Sequence, residues 1–391
     1  TLRHTLFPYT TLFRSLIMSK LQHIALVVDA IKPGGAERVI TAMARYWSDC
    51  DVRVSLITFK DEPCFYPLGE KVQLVPLDIA HRSAHAVQGL LNTRHRVRVL
   101  RARLRELAPD VVISFFADIS SITLLAARKL DVPVIVSERN HPRQHIIPYR
   151  WKLARQLLYR RAESLVVQSG EMIPFYQRLG VDTTVIANPL RQVDVDSQSK
   201  RPWILGVGRL THQKGFDLLL RAYAASGLCP RWKLVIVGEG EERDKLEQLA
   251  RDLGVEEGVQ MPGLVQDVDS YYARSSLFVL SSRYEGFPNA LAEAMGAGLA
   301  CVSFNCEYGP DKLLGHKGNG MLVAPGNVEE MSQALTYLAA YPDERERMGR
   351  EARGYVSHVL SDNRVMKRWD ELVKQVMNGS VRKNGSGKDL D

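Results

Sequence analysis

The sequence predicts an α/β protein built from two doubly wound domains, and three features lead there. Short β-rich apolar runs alternate with helical patterns along nearly the whole chain, which implies parallel sheets covered on both faces. The unit that opens this alternation, a strand, a turn and a helix, begins again near residue 203 after a polar stretch with a proline near each end. The length of 391 residues corresponds to two domains, at most three, at roughly 150 residues each.

Residues 1–17 are set aside as an artefactual leader. Thr5 to Ser15 read TLFPYTTLFRS, which looks like the conceptual translation of a sequencing adapter. They lack the cationic segment and apolar core of a signal peptide, so the natural start is expected at Met18. Ile24 to Asp29 (IALVVD) is then the first strand, Pro33-Gly34-Gly35 its turn, and Val39 to Trp47 the following helix. Val52 to Phe59, Val111 to Phe115, Val132 to Val136, Ser164 to Gln168 and Thr184 to Ile186 complete a first domain over 18–187. Asn188 to Pro202 (NPLRQVDVDSQSKRP) reads as the linker. The second domain, 188–361, has strands at Trp203–Val207, Trp232–Val237, Val259–Met261, Leu277–Leu280, Ala300–Phe304 and Gly320–Val323. Helices are expected at Phe216–Ala225 and Glu241–Leu253. Two more follow Pro342; the last, 362–377, has Ser361 as its N-cap and is expected to pack back on the first domain. Residues 378–391 (NGSVRKNGSGKDLD) read as a disordered tail.

Composition narrows the function. Hydrophobic residues at 45% and charged residues at 25% exclude a disordered or collagen-like chain. No uninterrupted apolar stretch approaches the ~18 residues of a membrane span. The charge of 52 − 44 = +8 points to an anionic partner: nucleic acid, a membrane surface or a phosphorylated ligand. Five scattered cysteines with no CxxC pair read as reduced thiols of a cytosolic protein, without zinc or disulfides.

Three motifs carry the chemistry. The first is Glu285-Gly-Phe-Pro-Asn-Ala-Leu-Ala-Glu293, two carboxylates eight residues apart where a strand has ended and a helix begins. Glu285 falls in the loop and Glu293 on the helix. The amides of Phe287 to Ala290, Pro288 excepted, are expected to face the cleft, ready for an anion or a ring of hydroxyls. The second is Gly208-Arg209-Leu-Thr-His-Gln-Lys214-Gly215, a loop after a strand whose two cations can wrap a diphosphate. The third is Pro33-Gly34-Gly35-Ala36-Glu37, whose glycines let backbone approach a ligand closely.

These motifs, in this order on a tandem α/β chain, resemble the retaining glycosyltransferases of the GT-B fold, and within them the large "group 1" family marked by Glu, seven residues, Glu. The resemblance spans about His23 to Met377 and is similar to bacterial enzymes that extend lipid-diphosphate-linked glycans. It implies a nucleotide sugar, a UDP-hexose or UDP-N-acetylhexosamine, as donor. Arg209 and Lys214 would neutralise the departing diphosphate, Glu285 would hold the donor sugar and Glu293 the ribose. The loop around Gly263 and Val265 would cradle the base. Gly35 and Gly208 would lie by the phosphates, and Phe287 and Asn289 would offer amides to the sugar, with Pro288 shaping the turn. The loop Ser137-Glu138-Arg139-Asn140-His141 departs from the family's SEH form, and Glu138, Arg139 and His141 are its acceptor-side candidates. The resemblance also implies retention of anomeric configuration with the leaving phosphate assisting the acceptor hydroxyl, and needs neither metal nor cofactor. The acceptor it implies is a polyprenyl-diphosphate saccharide at the inner membrane face.

Competing readings have less support. Asp267-Val-Asp269 looks like a metal-binding pair, but it precedes a helical run, where N-capping explains it. Gly238-Glu239-Gly240 reads as a turn closing near the ligand. The stripe Arg94, Arg98, Arg101, Arg105, and a run from Arg139 to Arg161 without a single acid, are either a solvated face or contacts to anionic lipid. A dinucleotide-dependent oxidoreductase lacks its GxGxxG, and no recognised motif supports nucleic-acid binding. A same-fold enzyme with a soluble acceptor stays open.

Overall fold

The computed structural model describes residues 21–80, 85–144, 147–193, 199–315 and 318–385, without the side chains of 86, 87 and 380–385. The proposed leader, part of the linker and the end of the tail lie outside these residues.

Every strand run expected from the sequence is present, and one further strand joins them. In the first lobe β1 (His23–Val28), β2 (Arg53–Thr58), β3 (Val72–Pro76), β4 (Val111–Phe115), β5 (Val134–Ser137), β6 (Ser164–Val167) and β7 (Thr183–Val185) form one parallel sheet in the order β3-β2-β1-β4-β5-β6-β7. Both faces of that sheet are covered. In β1, Ile24, Leu26 and Val28 enter one core while Ala25 and Val27 enter the other. A strand that alternates between two buried faces must be apolar throughout, hence the unbroken run IALVV. The unpredicted strand is β3, an edge strand with only Val72 and Val75 buried, so it carries no such run.

The second lobe repeats the plan. Strands β8 (Trp203–Val207), β9 (Lys233–Val237), β10 (Val259–Gly263), β11 (Leu277–Leu280), β12 (Ala300–Phe304) and β13 (Met321–Val323) are parallel in the order β10-β9-β8-β11-β12-β13. In each lobe the order reverses direction between the first and fourth strands. Ligands of open α/β sheets bind in the crevice outside the carboxyl ends of the strands at that switch point.

The chain crosses between lobes twice, side by side: the Leu190 amide donates to the Leu360 carbonyl at 2.7 Å. The helix after the second crossing runs from Asp362 to Gly385, so residues 378–385 are helical where a disordered tail was expected. Its Val365, Met366, Trp369, Leu372, Val373 and Val376 enter the first lobe's core. There Trp369 meets Trp47 edge-on, and Asp370 accepts hydrogen bonds from Tyr46 and Trp47. The basic stripe is split: Arg94, Arg98 and Arg105 are exposed, but Arg101 donates to the carbonyls of Leu125 and Ala126. It caps the end of the helix Ala117–Ala127, where a cation is favoured. None of the five cysteines is joined to another in a disulfide.

Candidate active site

The switch point of the second lobe joins the two charged motifs. The loop carrying Arg209 and Lys214 leaves β8, the loop carrying Glu285 leaves β11, and these strands are paired neighbours. Lys214 Nζ lies 2.6 Å from Glu285 Oε1, across 71 residues of sequence. Ser282 Oγ donates to the same oxygen at 2.6 Å. The two loops are laced together around this pair. The Ser281 hydroxyl donates to the Lys214 carbonyl, Gln213 Nε2 to the Tyr284 carbonyl, and the Arg283 amide to the Gln213 carbonyl. Arg283 also grips Asp217 with two hydrogen bonds, at 2.7 and 2.8 Å. Burial works against the Asp217 carboxylate, yet that fork holds it below its ordinary value. Glu285 is buried, and the Lys214 side chain that points at it is partly open to solvent.

Arg209 is exposed on the same loop, within reach of the charge of Glu37 from the first lobe. Gly208 sits against the Lys214 stem. The Gly238–Gly240 turn backs the loop, with Leu210 donating to the Glu239 carbonyl. Gly263 is buried at the end of β10, and Val265 is half-buried just beyond it.

The lobes meet at the start of the helix Asn289–Gly296. A Cβ on Gly35 would lie 2.3 Å from Asn289 Nδ2, and one on Gly286 would lie 2.4 Å from the Arg139 carbonyl oxygen. The Gly286 approach, made to backbone, requires glycine, whereas at Gly35 the Asn289 side chain would have to shift. Pro288 (φ −82°, ψ 70°) makes an inverse γ-turn in which the Asn289 amide donates to the Phe287 carbonyl. The Asn289 amide is therefore engaged, contrary to the expectation that it would face the ligand. Phe287 is half-buried against the second core.

Glu293 is buried and fully engaged. Oε1 pairs with Arg38, which follows the glycine turn of the first lobe; Oε2 accepts from Tyr272 and lies 3.5 Å from Arg191. Arg191 in turn pairs with Asp269. Asp267 accepts from the Ser270 amide. The Asp-Val-Asp run therefore splits into a cap and an ion-pair partner. Among the described residues no group of three or more His, Cys, Asp and Glu is placed to hold a metal ion.

The acceptor-side candidates divide. Glu138 turns into the first lobe's core, where it accepts from Tyr159 and burial raises its pKa. Arg139 is buried over the rings of Phe115 and Trp369, donates to Asn188, and has its pKa lowered by burial to about 9. Both side chains are buried in the first lobe. Trp369 of the C-terminal helix covers Arg139, whereas Glu138 lies on the opposite face of the sheet beside Tyr159. His141 does face the second lobe. Its Nδ1 accepts the amides of Arg143 and Gln144, so Nε2 carries the proton and donates to Glu307 at 2.7 Å, with Tyr284 and Tyr308 packed on the ring. Burial lowers the His141 pKa, which favours this neutral form.

Sequence reasoning missed Arg38, Tyr272, Glu307 and Asn188. Arg38 lies one residue beyond the Gly-Gly-Ala-Glu motif and was within reach of it. Asn188 had no signal. It accepts from Arg139 and Gln168 and donates to Asn289, so that it ties the lobes at the first crossing.

Comparison with known proteins gives matches over both lobes. Residues 191–355 match the family "Glycosyl transferases group 1", and residues 34–189 match "Glycosyl transferase 4-like domain". The chain belongs to the group 1 glycosyltransferases. An uncharacterised glycosyltransferase of Haemophilus influenzae is 29% identical to it, over 87% of this chain and 96% of its own. A Campylobacter jejuni α-1,4-N-acetyl-D-galactosaminyltransferase, named for a GalNAc-GalNAc-diNAcBac-PP-undecaprenol substrate, is 26% identical over 92% of this chain and 100% of its own. Among solved structures, sucrose-phosphate synthase of Thermosynechococcus elongatus superposes with a TM-score of 0.78 at 16% identity, over 92% of this chain and 100% of its own. Anabaena HepE in complex with UDP and glucose gives 0.73 at 18%, over 90% and 100%. These likenesses establish the shared GT-B fold of this glycosyltransferase: two Rossmann-like domains. Among the described residues no helix is long and apolar enough to cross a membrane.

Proposed function

We propose that this glycosyltransferase moves a hexose or N-acetylhexosamine, with retention of configuration, from a UDP-sugar to a lipid-linked saccharide in cell-surface glycan synthesis. The observation that carries this is the Lys214–Glu285 pair at the second lobe's switch point, with Arg209 across the same loop. A carboxylate held by a lysine beside a second free cation suits a neutral sugar attached to a dianionic leaving group. In the reaction the bond from the anomeric carbon to the phosphate oxygen breaks and one to the acceptor oxygen forms on the same face. The departing phosphate takes up the acceptor's proton. Arg209 and Lys214 stabilise the charge that grows on the leaving group, and Glu285 orients the sugar; each such contact contributes about 3–4 kcal/mol of transition-state stabilisation. Two cations placed this way supply the neutralisation that a divalent metal would otherwise give, so the reading includes no metal and no cofactor. Glu293 is the candidate for the ribose hydroxyls, which would share it with Arg38.

The acceptor side draws on the named substrates of the Campylobacter relative and on the positive first lobe, where no acid interrupts residues 139–161. Both favour a peripheral enzyme on the cytoplasmic face of the membrane. Titrating UDP by calorimetry, and screening nucleotide sugars for hydrolysis, tests the donor. UDP binding lost in Lys214→Ala supports the reading, and no UDP binding to the wild type refutes it. Turnover with free saccharides and no lipid would move the acceptor to the soluble class.

A further inference from the structure

Glu293 is buried where the lobes meet, and its two oxygens are held differently. The Tyr272 hydroxyl donates to Oε2 at 3.2 Å, and Arg191 Nη2 lies 3.5 Å from the same oxygen. Oε1 pairs with Arg38, which comes from the other lobe, at the start of the helix Gly35–Asp49. Arg38 follows the Gly34-Gly35 turn and Glu37, whose charge is within reach of Arg209. It therefore stands between the ribose carboxylate and the loop that carries the diphosphate cations.

The Arg38–Glu293 pair is built to be exchanged. Burial works against the Arg38 charge, and so does the like charge of Arg191. A buried carboxylate that loses its cation is strongly penalised. Here a second cation stays beside Glu293 if Arg38 leaves, because Arg191 is anchored to Asp269 at 2.5 Å. Glu293 is not stranded by the departure; Arg38 is. A riboside without phosphate that takes Oε1 offers Arg38 only hydroxyls in return, and leaves a largely buried guanidinium without an anion. A nucleoside diphosphate brings an anion one ester bond from the same ribose, and the guanidinium fork fits phosphate as well as it fits carboxylate.

We propose that Arg38 is a specificity residue of the donor site: it closes Glu293 to ribosides, and yields it to a ligand whose phosphate takes the guanidinium in exchange. The inference rests on the donor reading above. The sharing of Glu293 is then an exchange between two states. Oε1 holds Arg38 when the site is empty and the ribose when it is filled, while Tyr272 keeps Oε2 throughout.

The experiment uses the full chain and two ligands, UDP followed by calorimetry and uridine by ligand-observed NMR; the quantity read is the ratio of their affinities. In Arg38→Met, uridine should bind about threefold tighter and UDP about threefold weaker, so that the ratio falls about tenfold. A merely structural role would not move the two ligands in opposite directions, since a distorted site weakens both. Should Arg38→Met fold poorly in a thermal melt, Arg38→Gln decides by the same ratio, because glutamine keeps a hydrogen bond to Glu293 without the charge. UDP binding with an unchanged ratio, whether both ligands weaken, tighten or stay as they were, overturns the inference and leaves the donor reading standing. No UDP binding to the wild type refutes the donor reading and this inference with it.

Discussion

The two lobes place charged loops at the carboxyl edges of similar sheets, with opposite outcomes. In the second lobe the loops after β8 and β11 bring Lys214 onto Glu285. In the first lobe the loop after β5 carries both charges into the interior, Arg139 beneath Trp369 and Glu138 on the opposite face beside Tyr159. β8 and β11 are the switch-point pair of their sheet; β5 lies one strand past the switch point of its own. Loops at a switch point diverge and leave a crevice, whereas the loop of a neighbouring strand can be roofed over. Charge in a loop is left open to a ligand only where the strand order leaves room for one.

The largest test of this contrast is loss of a switch-point charge. Lys214→Ala and Glu285→Ala should each lower turnover of the nucleotide sugar by about 10²–10³-fold, measured as UDP release. A loss below tenfold in both would place the chemistry elsewhere. Next comes the roof. Trp369→Ala should destabilise the chain by about 3–5 kcal/mol in urea unfolding, and an unchanged midpoint would mean that the helix Asp362–Gly385 does not hold the first lobe. Smaller still is the effect of a charge buried in the first lobe's core. Glu138→Gln should leave KM and kcat within about threefold of wild type and change stability by about 1 kcal/mol; a large kcat loss would restore Glu138 to the site.

The smallest effect is one of pH. Folding depresses the His141 pKa below its ordinary 6.5, so between the two values the unfolded chain holds the extra proton. Stability should fall as pH drops through that window and level off below it. His141→Asn should flatten the slope in urea melts taken across the window. An identical slope in wild type and variant would assign it to another group.

Much of this could be read along the chain. Unbroken apolar runs such as IALVV mark strands buried on both faces, and glycine turns after them mark the switch-point loops. The Arg-Lys loop and the spaced glutamates also stood out, since each is a local cluster of charge in an otherwise apolar setting. Edge strand β3 escaped because little of it is buried, and the last helix ran past Met377 to Gly385 because composition is a poor guide to where a helix frays.

By itself the sequence determined two parallel sheets, their order of elements, and which residues could carry charge at strand ends. Tertiary structure decided which of those charges meet. Arg38 reaches Glu293 across 255 residues, and Asn188 ties Arg139 to Asn289. Periodicity and turn chemistry act over a few residues, whereas sheet order and the packing of one lobe on the other choose partners across the whole chain.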